Sequence, residues 1–149
     1  MIPDILKAFE KNEPVIIRNP LSTRPWQHVL EPLAGYLVLA QALFEKGNDF
    51  AEGWNFGPSD DDCQPVSWIL DKMVNSWGKG ANWKLDSNNN PHEANFLKLD
   101  CSKAKKKLKW QPKWGLEYTT GLIIDWHQKW MSSENMQEHC LMEIKEYLK

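Results

Sequence analysis

The chain has no run approaching the roughly 20 apolar residues needed to cross a bilayer, and no basic N-terminal region leading into an apolar stretch with a small-residue cleavage site. A soluble, cytoplasmic protein that does not engage a membrane is the expectation. Cysteine is scarce: Cys63, Cys101 and Cys140 are 38 and 39 residues apart, odd in number and without a C-x-x-C pair. Reduced, structural thiols are expected rather than a disulfide framework. His139-Cys140 is the one adjacent His/Cys pair, too few ligands for zinc, so no metal site is expected. Charge of one sign is also missing, since 18 basic side chains face 20 acidic ones for a net −2, which gives nucleic acid no global field. No internal repeat or low-complexity segment occurs. Finally there is no G-x-G-x-x-G: Gly78-Lys79-Gly80 is followed by Trp83 where a third glycine would stand, and no apolar strand precedes it.

What remains is a chain of 149 residues with 42% apolar content, enough for a core and sized for a single domain spanning 1–149. Its nine tryptophans are many for the length, and large apolar bodies packing a small domain explain most of them better than stacking platforms for bases or sugars do. Trp126 and Trp130 continue Leu116, Thr119 and Ile123 at helical spacing and predict one buried stripe.

Read in order, Pro3 to Asn12 predicts a helix, Pro14 to Arg18 a short β-branched strand, and Asn19 to Thr23 a loop. A second helix is expected from Pro32 to Lys46, stopped by Gly47-Asn48, with apolar residues around most of its circumference. Such a helix needs partners on two sides. Trp54 to Pro58 predicts a strand ending in a glycine turn, followed by the acidic loop Asp60-Asp61-Asp62 and a helix from Pro65 to Trp77. Trp83 to Leu85 and Phe96 to Leu99 predict short strands around a polar loop. A helix from Ser102 to Leu108, capped by Asp100, and helices over Leu116 to Met131 and Met136 to Tyr147 complete the reading. The lysines at 103, 105, 106, 107 and 109 lack glycine or aromatic interleaving, so a solvated helix face is expected there and not a nucleic-acid surface.

Arg24 lies between a turn and Pro25-Trp26, a stiffened setting in which a planar guanidinium can grip a phosphate through two bonds or simply face water. Asn55 can contact a ligand or bond nearby backbone, and His92 can bond a phosphate or ribose or stand exposed in its loop. The residues alone leave these alternatives open.

The stretch Arg24-Pro25-Trp26-Gln27-His28-Val29-Leu30-Glu31-Pro32-Leu33-Ala34-Gly35-Tyr36-Leu37 closely resembles CDP-glucose 4,6-dehydratases, extended short-chain dehydrogenase/reductases of the NAD-dependent epimerase/dehydratase family. The resemblance runs from Pro3 to the end and is to the C-terminal part of such enzymes. It implies an α/β fold, helix-rich with short strands and lacking most of the Rossmann sheet. It also implies a substrate-binding role, with Arg24 and Trp26 at the diphosphate of CDP-glucose or a related nucleotide sugar. Asn55, His92 and Glu93 would lie around the same ligand. Relatives commonly carry a basic side chain a few residues before the histidine, where this chain has Asn88, Asn89 and Asn90, and often a histidine and tyrosine near Asn95-Phe96.

In that family NAD oxidises C4 of the glucose, water leaves across C5 and C6, and the hydride returns to C6. The resemblance locates this chemistry on a glycine turn and a Tyr-x-x-x-Lys pair. Tyr36, Tyr118 and Tyr147 have no lysine four positions on. The expectation is therefore a C-terminal fragment in which NAD is not bound by this chain alone, inactive by itself, whose 31–58 segment docks on a Rossmann domain. Alternatives are a half-enzyme complemented by a separate Rossmann partner chain and a non-catalytic scaffold remnant.

Overall fold

The computed structural model describes residues 1–78, 80–88 and 94–149. Five helices carry the fold: α1 (Ile2–Glu10), α2 (Leu30–Lys46), α3 (Val66–Trp77), α4 (Leu116–Met131) and α5 (Met136–Tyr147). The short strands are β1 (Val15–Ile17), β2 (Thr23–Pro25), β3 (Cys63–Pro65) and β4 (Trp83–Leu85). β1 pairs parallel with β4, matching Ile16 to Lys84, and β2 pairs antiparallel with β3, matching Arg24 to Gln64.

Local sequence accounts for the elements. Pro3 sits in the first turn of α1, where its missing N–H costs nothing, and Ile5, Leu6 and Phe9 fall on one buried face. Asn135 caps α5 by accepting the Glu138 N–H over 3.3 Å. Asp100 accepts the Ser102 N–H at 2.9 Å, as expected of a cap, although the turns after it are π-type over Ala104–Leu108. Lys105, Lys106 and Lys107 are exposed there, and Lys103 and Lys107 both pair with Glu52 at 2.8 Å, which disperses the basic run.

Two cores result. The larger joins Ile5 and Phe9 of α1, Val15 and Ile17 of β1, Ile69, Leu70 and Met73 of α3, and Leu116 and Ile124 of α4. The smaller joins Phe56, Cys101, Ala104, Leu108 and Trp110 beneath Val38, Leu39 and Ala42 of α2. Gly35 lets α2 approach this second core, because a Cβ there would stand 2.3 Å from the Phe56 ring. Phe56 cannot easily yield, being packed edge-on between Tyr36 and Trp110 at centroid distances of 5.6 and 5.0 Å.

Several expectations need correction. Trp54 to Pro58 forms no strand, and its Phe56 carbonyl is bonded by the Gln27 side chain in place of a ladder partner. Phe96 to Leu99 contributes one parallel bridge, Thr23 to Phe96, instead of a strand. Thr23, read as loop, begins β2. On α4 the buried stripe is Leu116, Thr119, Thr120, Ile124 and His127, and Trp130 is 50% exposed. The stripe is displaced because His127 turns inward to Glu10, its Nε2 2.5 Å from that carboxylate.

Glu31, at 0% exposure, is the most buried charged residue described. Its carboxylate accepts the Lys113 N–H at 3.1 Å, the Trp114 N–H at 2.8 Å and the Tyr147 hydroxyl at 2.8 Å. The start of α2, the loop before α4 and the end of α5 thus meet at one residue.

Two outcomes follow from this packing. Gly35→Ala should lose about 1–3 kcal/mol through overpacking, more than the ~1 kcal/mol gained in helix propensity, measured by urea unfolding. Burial first, and the Glu31 contact second, push the Tyr147 phenol up from its ordinary 10.0. The folded state therefore favours the neutral phenol, and this stabilisation is complete below pH 10.0 and is lost as pH rises above it. Urea midpoints at about pH 8 and about pH 11 should fall further apart for the wild type than for Tyr147→Phe.

Candidate functional site

β2 presents Arg24 at the edge where three segments meet. On one side it pairs with β3, and on the other the Thr23 N–H donates to the Asn95 carbonyl at 2.9 Å while the Leu97 N–H donates to the Thr23 carbonyl at 3.2 Å. The Asn19 amide adds a 3.2 Å bond to the Asn95 side chain. Arg24 Nη1 donates to the carbonyls of Thr23 and Ala94, each at 2.9 Å, so the guanidinium is anchored against the segment that follows His92-Glu93. His92 and Glu93 themselves lie outside the described residues.

Trp26 is held differently. Its indole N–H donates to the Gln64 carbonyl at 2.9 Å and its ring packs on the larger core, so the residue fixes β2 against β3 and braces the arginine. A cleft of about 540 Å³ beside β1 and β2 is lined by Arg18, Asn19, Ser22, Arg24 and Trp26. Asp4 borders the same cleft, so cationic, amide and acidic groups meet there.

Asn55 lies on another segment. It is exposed, and its amide donates to the Asp100 carbonyl at 3.2 Å, which ties the turn before Pro58 to the loop before Ser102. That loop, with Pro58, Asp60, Lys98 and Lys105, borders a polar recess of about 410 Å³. Arg24 and Asn55 therefore do not line one cavity among the described residues. They are joined through Gln27, whose amide donates to the Phe56 carbonyl at 2.9 Å.

Residue-type reasoning passed over Gln27 and Glu31. The signal available for Glu31 was a single carboxylate in the first turn of an otherwise apolar helix, where the macrodipole favours it. For Gln27 there was none, because its partner is 29 residues away.

Titration states restrict the chemistry. His28 is buried, which lowers its pKa from 6.5, and its Nδ1 accepts the Leu30 N–H at 3.3 Å, so the neutral ring carries its proton on Nε2. Burial pushes the thiols of Cys63 and Cys101 up, which removes them as thiolate nucleophiles at neutral pH. Two helix starts carry a carboxylate that competes with any anion there. At the start of α4, where a pyrophosphate would need open N–H groups, Asp62 already accepts the Leu116 N–H at 2.9 Å. Glu31 occupies the first turn of α2. Among the described residues no helix is long and apolar enough to cross a membrane.

No family model matches the chain. It is 57% identical over 148 residues to a CDP-glucose 4,6-dehydratase of Salmonella typhimurium (strain LT2), a match covering 99% of this chain and 41% of that enzyme. The chain thus spans well under half the length of this curated relative. Among solved structures it is similar to a dTDP-glucose 4,6-dehydratase from Bacillus anthracis str. Ames in complex with NAD. There the TM-score is 0.64 at 16% identity, over 86% of this chain and 38% of that one. A UDP-N-acetylglucosamine 4-epimerase from Bacillus cereus gives 0.61 at 16% identity, over 85% and 42%. Fold and sequence agree: the chain is similar in sequence to part of a CDP-glucose 4,6-dehydratase and shares its fold with part of a dTDP-glucose 4,6-dehydratase and of a UDP-N-acetylglucosamine 4-epimerase.

Proposed function

We propose that these residues form the nucleotide-sugar-binding portion of a CDP-glucose 4,6-dehydratase, serving the conversion of CDP-glucose to CDP-4-keto-6-deoxyglucose and water. The observation that carries the reading is the anchoring of Arg24 on β2 against Ala94, in a chain 99% of which matches 41% of such an enzyme. A guanidinium already held on a strand loses less side-chain entropy on binding a diphosphate than a mobile one would. Trp26 acts by holding Arg24 in place, and Asn55, His92 and Glu93 complete the surroundings of the ligand.

NAD chemistry in this reading belongs to a Rossmann portion, on the same polypeptide or on another, that meets the 31–58 segment. The support is the outward face of α2. Leu33, Tyr36, Leu37, Ala40 and Phe44 recur at helical spacing and are exposed, Leu37 by 74% and Phe44 by 93%. Fully covering one such side chain contributes about 1.5–3 kcal/mol, so a stripe of this size is a strong docking face. A scaffold without sugar-nucleotide recognition has less support, since nothing in it calls for Arg24 to be braced from two sides.

Calorimetry with CDP-glucose tests the ligand assignment. Wild type should bind, and Arg24→Ala should bind about 10–100-fold more weakly, the loss expected for charged hydrogen bonds of about 1.5–3 kcal/mol. Equal affinities would remove Arg24 from the site. For the docking face, Leu37→Lys combined with Phe44→Lys should change the chain's own stability by no more than about 1 kcal/mol. The same pair should abolish association with a Rossmann portion in sedimentation, and unimpaired association would place the contact elsewhere.

A further inference from the structure

The segments bearing Arg24 and Asn55 are joined by one side chain, and half of that side chain is unaccounted for. Gln27 Nε2 donates to the Phe56 carbonyl at 2.9 Å. This settles which way round the amide lies, since the reverse would set two oxygens against each other. Gln27 Oε1 is then buried with no hydrogen-bond partner among the described residues, and so is the Thr119 hydroxyl of α4. Thr119 is only 1% exposed.

Both residues line one small cavity of about 40 Å³, whose other walls are mostly apolar, Trp26, Ile69, Met73 and Leu116 among them, together with Thr120, whose hydroxyl already donates to the Leu116 carbonyl. A buried polar atom left unsatisfied costs about 1–3 kcal/mol. A water needs about 10–15 Å³ and at least two polar partners, and this cavity meets both requirements. We propose that one ordered water bridges Gln27 Oε1 and Thr119 Oγ1, donating to the amide oxygen. The bridge locks the amide and makes Gln27 the positioning residue that sets the spacing between the Arg24 strand and the turn around Asn55. The ligand consequence rests on the reading given under Proposed function, whereas the water and the tether do not.

A high-resolution crystal structure should show water density about 2.6–3.2 Å from both atoms, and a dry cavity or a direct contact between Gln27 and Thr119 overturns the bridge. Hydrogen exchange supplies the second measurement. Gln27→Met keeps the volume and loses the bond, so the amides of Phe56 and Gly57 should exchange about tenfold faster while those of Ile69 to Met73 hold their rates. Thr119→Val, which is close in shape, should speed the same amides about two- to threefold from a distance. It carries the test alone if Gln27→Met does not fold. Unchanged exchange at Phe56 and Gly57 overturns the positioning role. In a separate CDP-glucose titration Gln27→Met should bind about tenfold more weakly, and affinity equal to wild type also overturns that role. Wild type that fails to bind counts against the ligand reading alone, because density and exchange involve no ligand.

Discussion

The Glu31 carboxylate holds the start of α2, the loop before α4 and the end of α5 together. A charge at 0% exposure is tolerated only when its oxygens are fully used, and here two backbone N–H groups and a phenol use them. Around that point Lys113 Nζ donates to the Tyr147 carbonyl at 2.8 Å, and the Trp114 ring meets those of His28 and Tyr147 edge-on at 5.0 and 4.9 Å. Helix α2 cannot rotate without breaking this cluster.

The same helix illustrates how one sequence serves two surfaces. Val38, Leu39 and Ala42 pack on the smaller core, while Leu33, Tyr36, Leu37 and Phe44 face outward. Apolar residues on the outer side are costly in water, which is the support for the docking role proposed for this face. Gly35 is the counterpart on the inner side, where a missing Cβ admits the Phe56 ring.

Much of the secondary structure was legible because it depends on local chemistry. Leu116 to Met131 and Met136 to Tyr147 are helices at the expected bounds, and Val15–Ile17 and Trp83–Leu85 are strands. Trp54 to Pro58 misled because its alternating apolar residues satisfy a strand pattern, yet the Phe56 carbonyl is bonded by a side chain and no partner strand adjoins it. Trp130 misled because periodicity gives the width of a buried stripe but not its rotation, which here follows the turn of His127 toward Glu10. Of the nine tryptophans Trp130 alone is exposed, so the packing reading of the others was sound.

For the candidate site, sequence alone determined the residue types available: an arginine stiffened by proline and tryptophan, and no glycine turn or Tyr-x-x-x-Lys pair. Those facts depend on identity and spacing along the chain. Tertiary structure alone decided that Arg24 bonds Ala94, that Trp26 bonds Gln64, and that Gln27 reaches Phe56. Each of these bonds spans 29 to 70 residues, and local preference carries no information over such distances. Packing of the two cores brings the partners together.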